Sequence, residues 1–134
     1  AGKENNIQTK SYHPNTNPRP DYIKAIQECS ILCCCSLDES LGTLSVAEAI
    51  FNKKPVLISD FEGAKEVWGE SIWYFEKDNF EDLKSKMKWL YDNRNSKEVK
   101  DKIENAYQRC LEIFMPDKFA ERINKRLLEV YPKQ

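Results

Sequence analysis

No sign of charge dominates this chain. Twenty-one lysines and arginines stand against twenty-two aspartates and glutamates, a formal net charge of −1 over 134 residues. So neutral a balance leaves no electrostatic footprint for nucleic acid, which calls for a basic stripe or face. No apolar run approaches the roughly 20 residues that a membrane-spanning helix needs. Any membrane association would have to come through another part of a longer protein. The polar N-terminus lacks a signal-peptide pattern and reads as the start of an excised piece. No internal repeat or low-complexity tract is present. Histidine is reduced to His13, a loop residue before a proline, where an ordinary surface role is the default.

A disulfide framework is excluded as well. The five cysteines are odd in number, and Cys33, Cys34 and Cys35 run consecutively. In a strand, Cys33 and Cys35 share one face and Cys34 takes the other, the wrong arrangement for a zinc knuckle with two-residue spacing. They read as small buried hydrophobes, and reduced thiols imply a cytoplasmic location.

The length fits one domain, 1–134, and 40% hydrophobic residues suffice for one core. "IQTKSY" (7–12) alternates as a strand does. "HPNTNPRP" (13–20), with three prolines, is a loop. Asp21 then caps a helix whose face carries Tyr22, Ile23, Ile26 and Cys29. "SILCCCS" (30–36) and "PVLIS" (55–59) lack polar alternation and read as strands covered on both sides, as in a parallel sheet. Between them "GTLSVAEAIFNKK" (42–54) is a helix with Lys53 and Lys54 in its last turn. A turn and short helix (62–70) lead to a fourth strand, "SIWYFE" (71–76). Residues 80–93, 96–114 and 117–131 are amphipathic helices with Asn79, Ser96 and Asp117 as N-caps. Their apolar faces, through Phe119, Ile123, Leu127, Val130 and Tyr131, read as core, packing a helical tail over the sheet. The alternation through residue 76 predicts a Rossmann-like parallel sheet of about four strands flanked by helices.

With four glycines in the chain, each needs a local reason. Gly42 and Gly63 fall in turns after buried strands, at the strand carboxyl ends where open α/β sheets bind ligands. Gly42 also precedes a helix start, whose free amides attract anions such as phosphate. Glu39 and Glu48 flank it. Alone, those two acids would be a loop carboxylate and a surface helix carboxylate. Lys65 and Glu66 follow Gly63 near the same rim, with Glu66 a helix N-terminal acid.

"SLDESLGTLSVAEAIFNKKPVLISDFEGAKEVWGESIWYFE" resembles the nucleotide-sugar-binding C-terminal domain of family 4 (group 1) glycosyltransferases, which have the two-Rossmann-domain GT-B fold. Ser36, Glu39, Gly42, Glu48 and Ala49 match the first block of that family's pattern. Lys54, Pro55, Val56, Ser59 and Asp60 match the second, and Gly63, Glu66 and Val67 the third. "PDKFAERINKRLLEVY" is similar to its last helix. The resemblance implies a retaining transfer of sugar from a nucleoside diphosphate sugar to an acceptor hydroxyl, with no metal or other cofactor. It places Glu39, the catalytic residue, on the hydroxyls of the transferred sugar and Glu48 on the ribose. Backbone amides of Gly42, Thr43 and Leu44 would hold the diphosphate, with Asp38, Ser40 and Leu41 completing the donor site.

The chain departs from the pattern in three ways. Eight residues separate Glu39 from Glu48, where the family holds seven, so the loop bulges or Asp38 shifts into the role. Ser40 replaces a common glycine. The first strands of the domain, its diphosphate-clamping Arg and Lys, and the acceptor-binding N-terminal domain are missing, so the piece alone should not turn over substrate. Two rivals remain open: a degenerate nucleotide-sugar-binding module, and half of a sugar-nucleotide epimerase. The missing strands would also leave 30–36 as an unpaired edge, which invites pairing. Either residues 7–12 collapse onto it or two copies associate along it as a homodimer. Donor base, donor sugar and acceptor are not written in these residues.

Overall fold

The computed structural model describes residues 19–35 and 44–131. Their order is α1 (Arg19–Glu28), β1 (Leu32–Cys34), α2 (Leu44–Phe51), β2 (Val56–Ser59), α3 (Glu62–Trp68), a 3-10 turn (Gly69–Ser71) and β3 (Trp73–Phe75). Three helices follow, α4 (Phe80–Asn93), α5 (Lys97–Phe114) and α6 (Pro116–Val130). The three strands form a parallel sheet in the order β1-β2-β3. This is the expected Rossmann-like α/β class. The first expected strand, 7–12, and the question of what pairs with β1 on its other side lie outside the described residues.

Period two sorts the side chains. Val56 and Ile58 of β2, with Leu32, Cys34, Ile72 and Tyr74, face a cluster completed by α2, α3 and the second half of α5: Val46, Ile50, Trp68, Ala106 and Cys110. Leu57 and Phe75, with Ile31, Cys33 and Trp73, face the other, closed by Leu83, Met87 and Leu90 of α4 and Val99 of α5. The absence of polar alternation in "PVLIS" has this cause: every residue of β2 is buried. β1 is shorter than the expected 30–36 and half-buried throughout. Asn79 and Ser96 cap as their side chains allow, accepting from the amides of Asp82 (3.0 Å) and Val99 (3.3 Å).

Several local expectations change. α1 begins at Arg19, with Pro20 in its first turn, where a missing N–H costs nothing. Asp21 is therefore a first-turn acid and not the cap. Asp117 is likewise inside α6, which opens with Pro116 after Met115. Gly63 sits within the first turn of α3 and not in a turn before it. Among the described residues, the glycine with a conformational demand is Gly69, at φ +52°, whose amide reaches back to the Lys65 carbonyl. Phe80, which shares the apolar face of residues 80–93 with Leu83, Met87 and Leu90 and by its spacing would read as core, opens α4 exposed.

The largest difference is α6. Its apolar residues do not enter a core: Phe119, Ile123, Leu127 and Val130 are each about half exposed or more. The helix is joined to the end of α5, where Arg122 donates to the carbonyls of Glu112 (2.7 Å) and Ile113 (2.6 Å). Those carbonyls are among the acceptors that a helix end leaves free.

α2 also ends earlier than expected. Lys53 and Lys54 follow the helix rather than forming its last turn. Lys54 N–H bonds to the Ala49 carbonyl (2.9 Å) and Lys53 N–H to that of Ile50 (2.8 Å), the paired bonds of a Schellman close. Lys53 takes the left-handed position, φ +53°, that glycine usually fills. Its ammonium pairs with Glu104 at 2.7 Å and lies over the Tyr107 ring at 4.5 Å. Lys53→Ala loses those contacts and keeps the strain, whereas Lys53→Gly loses them and relieves it. The glycine variant should be the more stable of the two by about 1 kcal/mol, read from urea unfolding. Equal stabilities would show that this position carries no strain.

Candidate functional site

Parallel strands present all their carboxyl ends on one side, the side on which open α/β sheets bind ligands. The helix before a strand and the helix after it both run back along it. α1 and α2 consequently begin together at that end. Glu48 is the fifth residue of α2 and faces the first turn of α1. Its carboxylate pairs with the Arg19 guanidinium and accepts from the Tyr22 hydroxyl at 2.9 Å. Arg19 also covers the Tyr22 ring at 5.2 Å. Arg19 and Tyr22, three apart on a helix, share a face and so reach one carboxylate together. Arg19 is 67% exposed and Glu48 23%, so the pair sits at the rim and not in the core.

The ends of the other strands are fixed by polar contacts of their own. Asp60, just past β2, donates its amide to the Phe75 carbonyl (2.8 Å) and pairs through its carboxylate with Lys65 (2.7 Å). Lys65 lies 5.8 Å from the Tyr74 ring. The Tyr74 hydroxyl donates to the Gly69 carbonyl at 2.7 Å, tying β3 to the turn after α3. Past β3, the Glu76 amide donates to Asp82 at 2.6 Å, and Asn79 donates to the Glu76 carboxylate at 2.7 Å.

Of the residues read from the sequence as the donor site, Leu44 and Glu48 are described. Leu44 opens α2 with its side chain 74% exposed. Ser36, Asp38, Glu39, Ser40, Leu41, Gly42 and Thr43, and His13, lie outside the described residues. Glu66 is not a helix N-terminal acid: Glu62 holds that place in α3, and Glu66 lies a turn further on. Its carbonyl and that of Val67 accept from Arg109 (3.4 and 2.6 Å). Arg19 and Tyr22 are the contributors that the sequence reading missed. Assigning residue 19 to a loop and Tyr22 to the core hid their common face.

An open depression of about 550 Å³, lined by Cys29, Lys54, Pro55, Arg94 and Lys100 among others, lies at the opposite pole. Pro55 immediately precedes β2, which places that depression at the amino ends of the strands, away from Glu48. Among the described residues, no three metal-ligating side chains gather, and no helix is long and apolar enough to cross a membrane.

The family model described as "Glycosyl transferases group 1" matches residues 2–109. No curated protein matches the chain. Among solved structures it is similar to the crystal structure of a glycosyltransferase from Rickettsia africae ESF-5, with a TM-score of 0.66 and 19% identity. The match covers 78% of this chain and 28% of that one, so the chain spans little more than a quarter of the other's length. At that identity the likeness is one of fold.

The Tyr22–Glu48 contact has a consequence in alkali. Burial first, and the hydrogen bond to Glu48 second, push the Tyr22 phenol from about 10 up to about 12. A phenol raised on folding stabilises the fold fully below its unfolded value and loses that contribution as pH climbs through the folded one. The chain should therefore lose stability between pH 10 and 12. Urea midpoints over that range should fall less steeply in Tyr22→Phe. The same slope in both proteins would remove Tyr22 as a cause.

Proposed function

The chain belongs to the group 1 glycosyltransferases, and from that membership we propose that it is the donor-binding part of a retaining enzyme. Within a longer GT-B protein it would bind a nucleoside diphosphate sugar. The acceptor hydroxyl, brought by the other domain, would attack the anomeric carbon as the nucleoside diphosphate leaves. The observation that carries this reading is the Glu48 carboxylate, held at the strand carboxyl ends on the helix that follows β1. That is the place which the family pattern gives to the ribose contact.

The chemistry suits the residue. A carboxylate oxygen offers two lone pairs, so Glu48 accepts from Arg19 and Tyr22 and retains capacity for vicinal hydroxyls. Hydrogen bonds to an ionised acceptor are the stronger kind. The amides at the start of α2, Gly42 to Leu44 in sequence, would receive the diphosphate. Free N–H groups at a helix start are oriented for anions and stabilise the negative charge that grows on a departing phosphate. Glu39 would contact the transferred sugar, with Asp38, Ser40 and Leu41 beside it.

A second reading draws on the same residue. Eight residues separate it from Glu39, one more than in the family pattern, which suits a binding module that has lost catalysis. Transfer assays on the full gene product separate the two: nucleotide binding without transfer to any acceptor favours the module.

Glu48→Gln tests the site itself. The amide still accepts from Tyr22 but is a weaker partner for ribose hydroxyls. Affinity for a nucleoside diphosphate, drawn from a panel of bases, should fall by about 1–3 kcal/mol. Calorimetry checks this, with circular dichroism as the control for folding. Unchanged affinity would remove Glu48 from the donor site.

A further inference from the structure

The donor reading leaves the cysteines at the end of β1 unused. Their arrangement is specific. Cys33 lies in β1 and Cys35 is the first residue past its end, two positions on, so that the two side chains fall on the same side. Their sulfurs lie 3.6 Å from each other. Cys34 points the opposite way, with Leu32, into the cluster under α2. The remaining two cysteines are placed elsewhere: Cys29 donates to the Ile26 carbonyl at 3.2 Å, and Cys110 is buried with its sulfur 3.9 Å from the Ala47 carbonyl.

We propose that Cys33 and Cys35 are a reversible redox pair, closing into an intrachain disulfide by exchange with a small-molecule disulfide such as oxidised glutathione. Three features suit them to it. The first is reach. Two residues of straight strand span about 6.6 Å between Cα atoms, near the upper end of the roughly 4.4–6.8 Å that a disulfide bridges. A disulfide also needs its Cβ atoms about 3.5–4.5 Å apart, so closure bends the chain between Cys33 and Cys35. The second is freedom to bend. The β1–β2 ladder ends at the Cys34↔Ile58 pair, so Cys35 lies outside it and can turn inward without breaking a bond to β2. The third is access. Cys35 is exposed, while Cys33 is half-buried beside Ile31 and Trp73.

Those positions assign the steps. The Cys35 sulfur, as thiolate, attacks one sulfur of the glutathione disulfide and expels one glutathione thiolate. Cys33 then gives up its proton to that thiolate, and its sulfur attacks the Cys35 sulfur, expelling the second glutathione. The two cysteines together lose two protons and two electrons, and the oxidant gains both as two thiols. Burial, with the neighbouring Cys35 second, pushes the Cys33 thiol up to about 12. A high thiol pKa slows attack, because the thiolate is the nucleophile. Contact between the two sulfurs offsets that, since a held neighbour acts at a high effective concentration.

The test uses the full chain in glutathione buffers of graded redox ratio, quenched by alkylation. Mass spectrometry should show loss of two of the five thiols, with no glutathione retained and full recovery on reduction. Cys29→Ser and Cys34→Ser should keep the bridge. Cys33→Ser and Cys35→Ser should each abolish it: Cys33→Ser should leave a glutathione adduct on the exposed Cys35, and Cys35→Ser should leave none on the half-buried Cys33. A trivalent arylarsenical, which needs two adjacent thiols, should bind the reduced chain one to one and at least tenfold more weakly in Cys35→Ser. Three results would overturn the proposal: both thiols alkylatable at every ratio, glutathione adducts on the wild type that never close, or a bridge that survives Cys35→Ser. Circular dichroism of Cys35→Ser, an exposed substitution, shows that its result does not come from unfolding.

Discussion

Four buried residues, Val56 to Ser59, organise this domain. β2 is hydrogen-bonded on both edges and covered on both faces. A strand so placed has no face left for water, and each of its side chains must be matched by apolar surface from a helix. Two separate clusters follow, one per face, with helices on each side of the sheet. The same constraint sets the site. Because β2 is central and parallel to both neighbours, the carboxyl ends of all three strands and the beginnings of α1 and α2 share one pole. The rim charges of Arg19, Glu48, Asp60 and Lys65 gather there.

Where burial alone decides, the sequence was legible. "PVLIS" is a central strand because nothing polar interrupts it. Asn79 and Ser96 cap because a short oxygen-bearing side chain before a periodic run has little else to satisfy it. The failures have other causes. Prolines in 13–20 pointed to a loop, but a proline in a helix's first turn forfeits no bond, so α1 starts at Arg19. Lys53 looked helical because cations suit a helix end, whereas Ala49 and Ile50 make their closing bonds through a left-handed Lys53. The pattern of Phe119, Ile123 and Leu127 is amphipathic, and periodicity alone does not say whether the chain itself supplies a partner for that face. Among the described residues of the candidate site, Glu48 was the one legible in the sequence. A three-residue spacing in α1, Arg19 and Tyr22, was the readable sign of its neighbours.

The Arg19–Glu48 pair has an electrostatic role that its exposure limits. A rim ion pair contributes little to stability, typically under about 1 kcal/mol. Its effect is instead to orient. Arg19 and Tyr22 hold the carboxylate against α1 and fix its direction before any ligand arrives. Preorganised acceptors of this kind save the cost of ordering a side chain on binding. An exposed guanidinium beside the carboxylate also places positive charge at the pole that the strand ends share.

α5 runs across the edge of this arrangement rather than along one layer. Val99, near its start, belongs to the cluster on one face of the sheet, and Ala106 and Cys110, further on, to the cluster on the other. Neither cluster can be opened at this helix without dragging on its neighbour, so the two half-cores are mechanically one. Amide hydrogens in the middle of α5 should then exchange with solvent only when the whole domain opens. Those of α6, anchored chiefly at its first turns through Arg122, exchange by fraying from the far end. The domain thus has a single cooperative body with one helix riding on it, and the seam between the two falls at Met115 and Pro116.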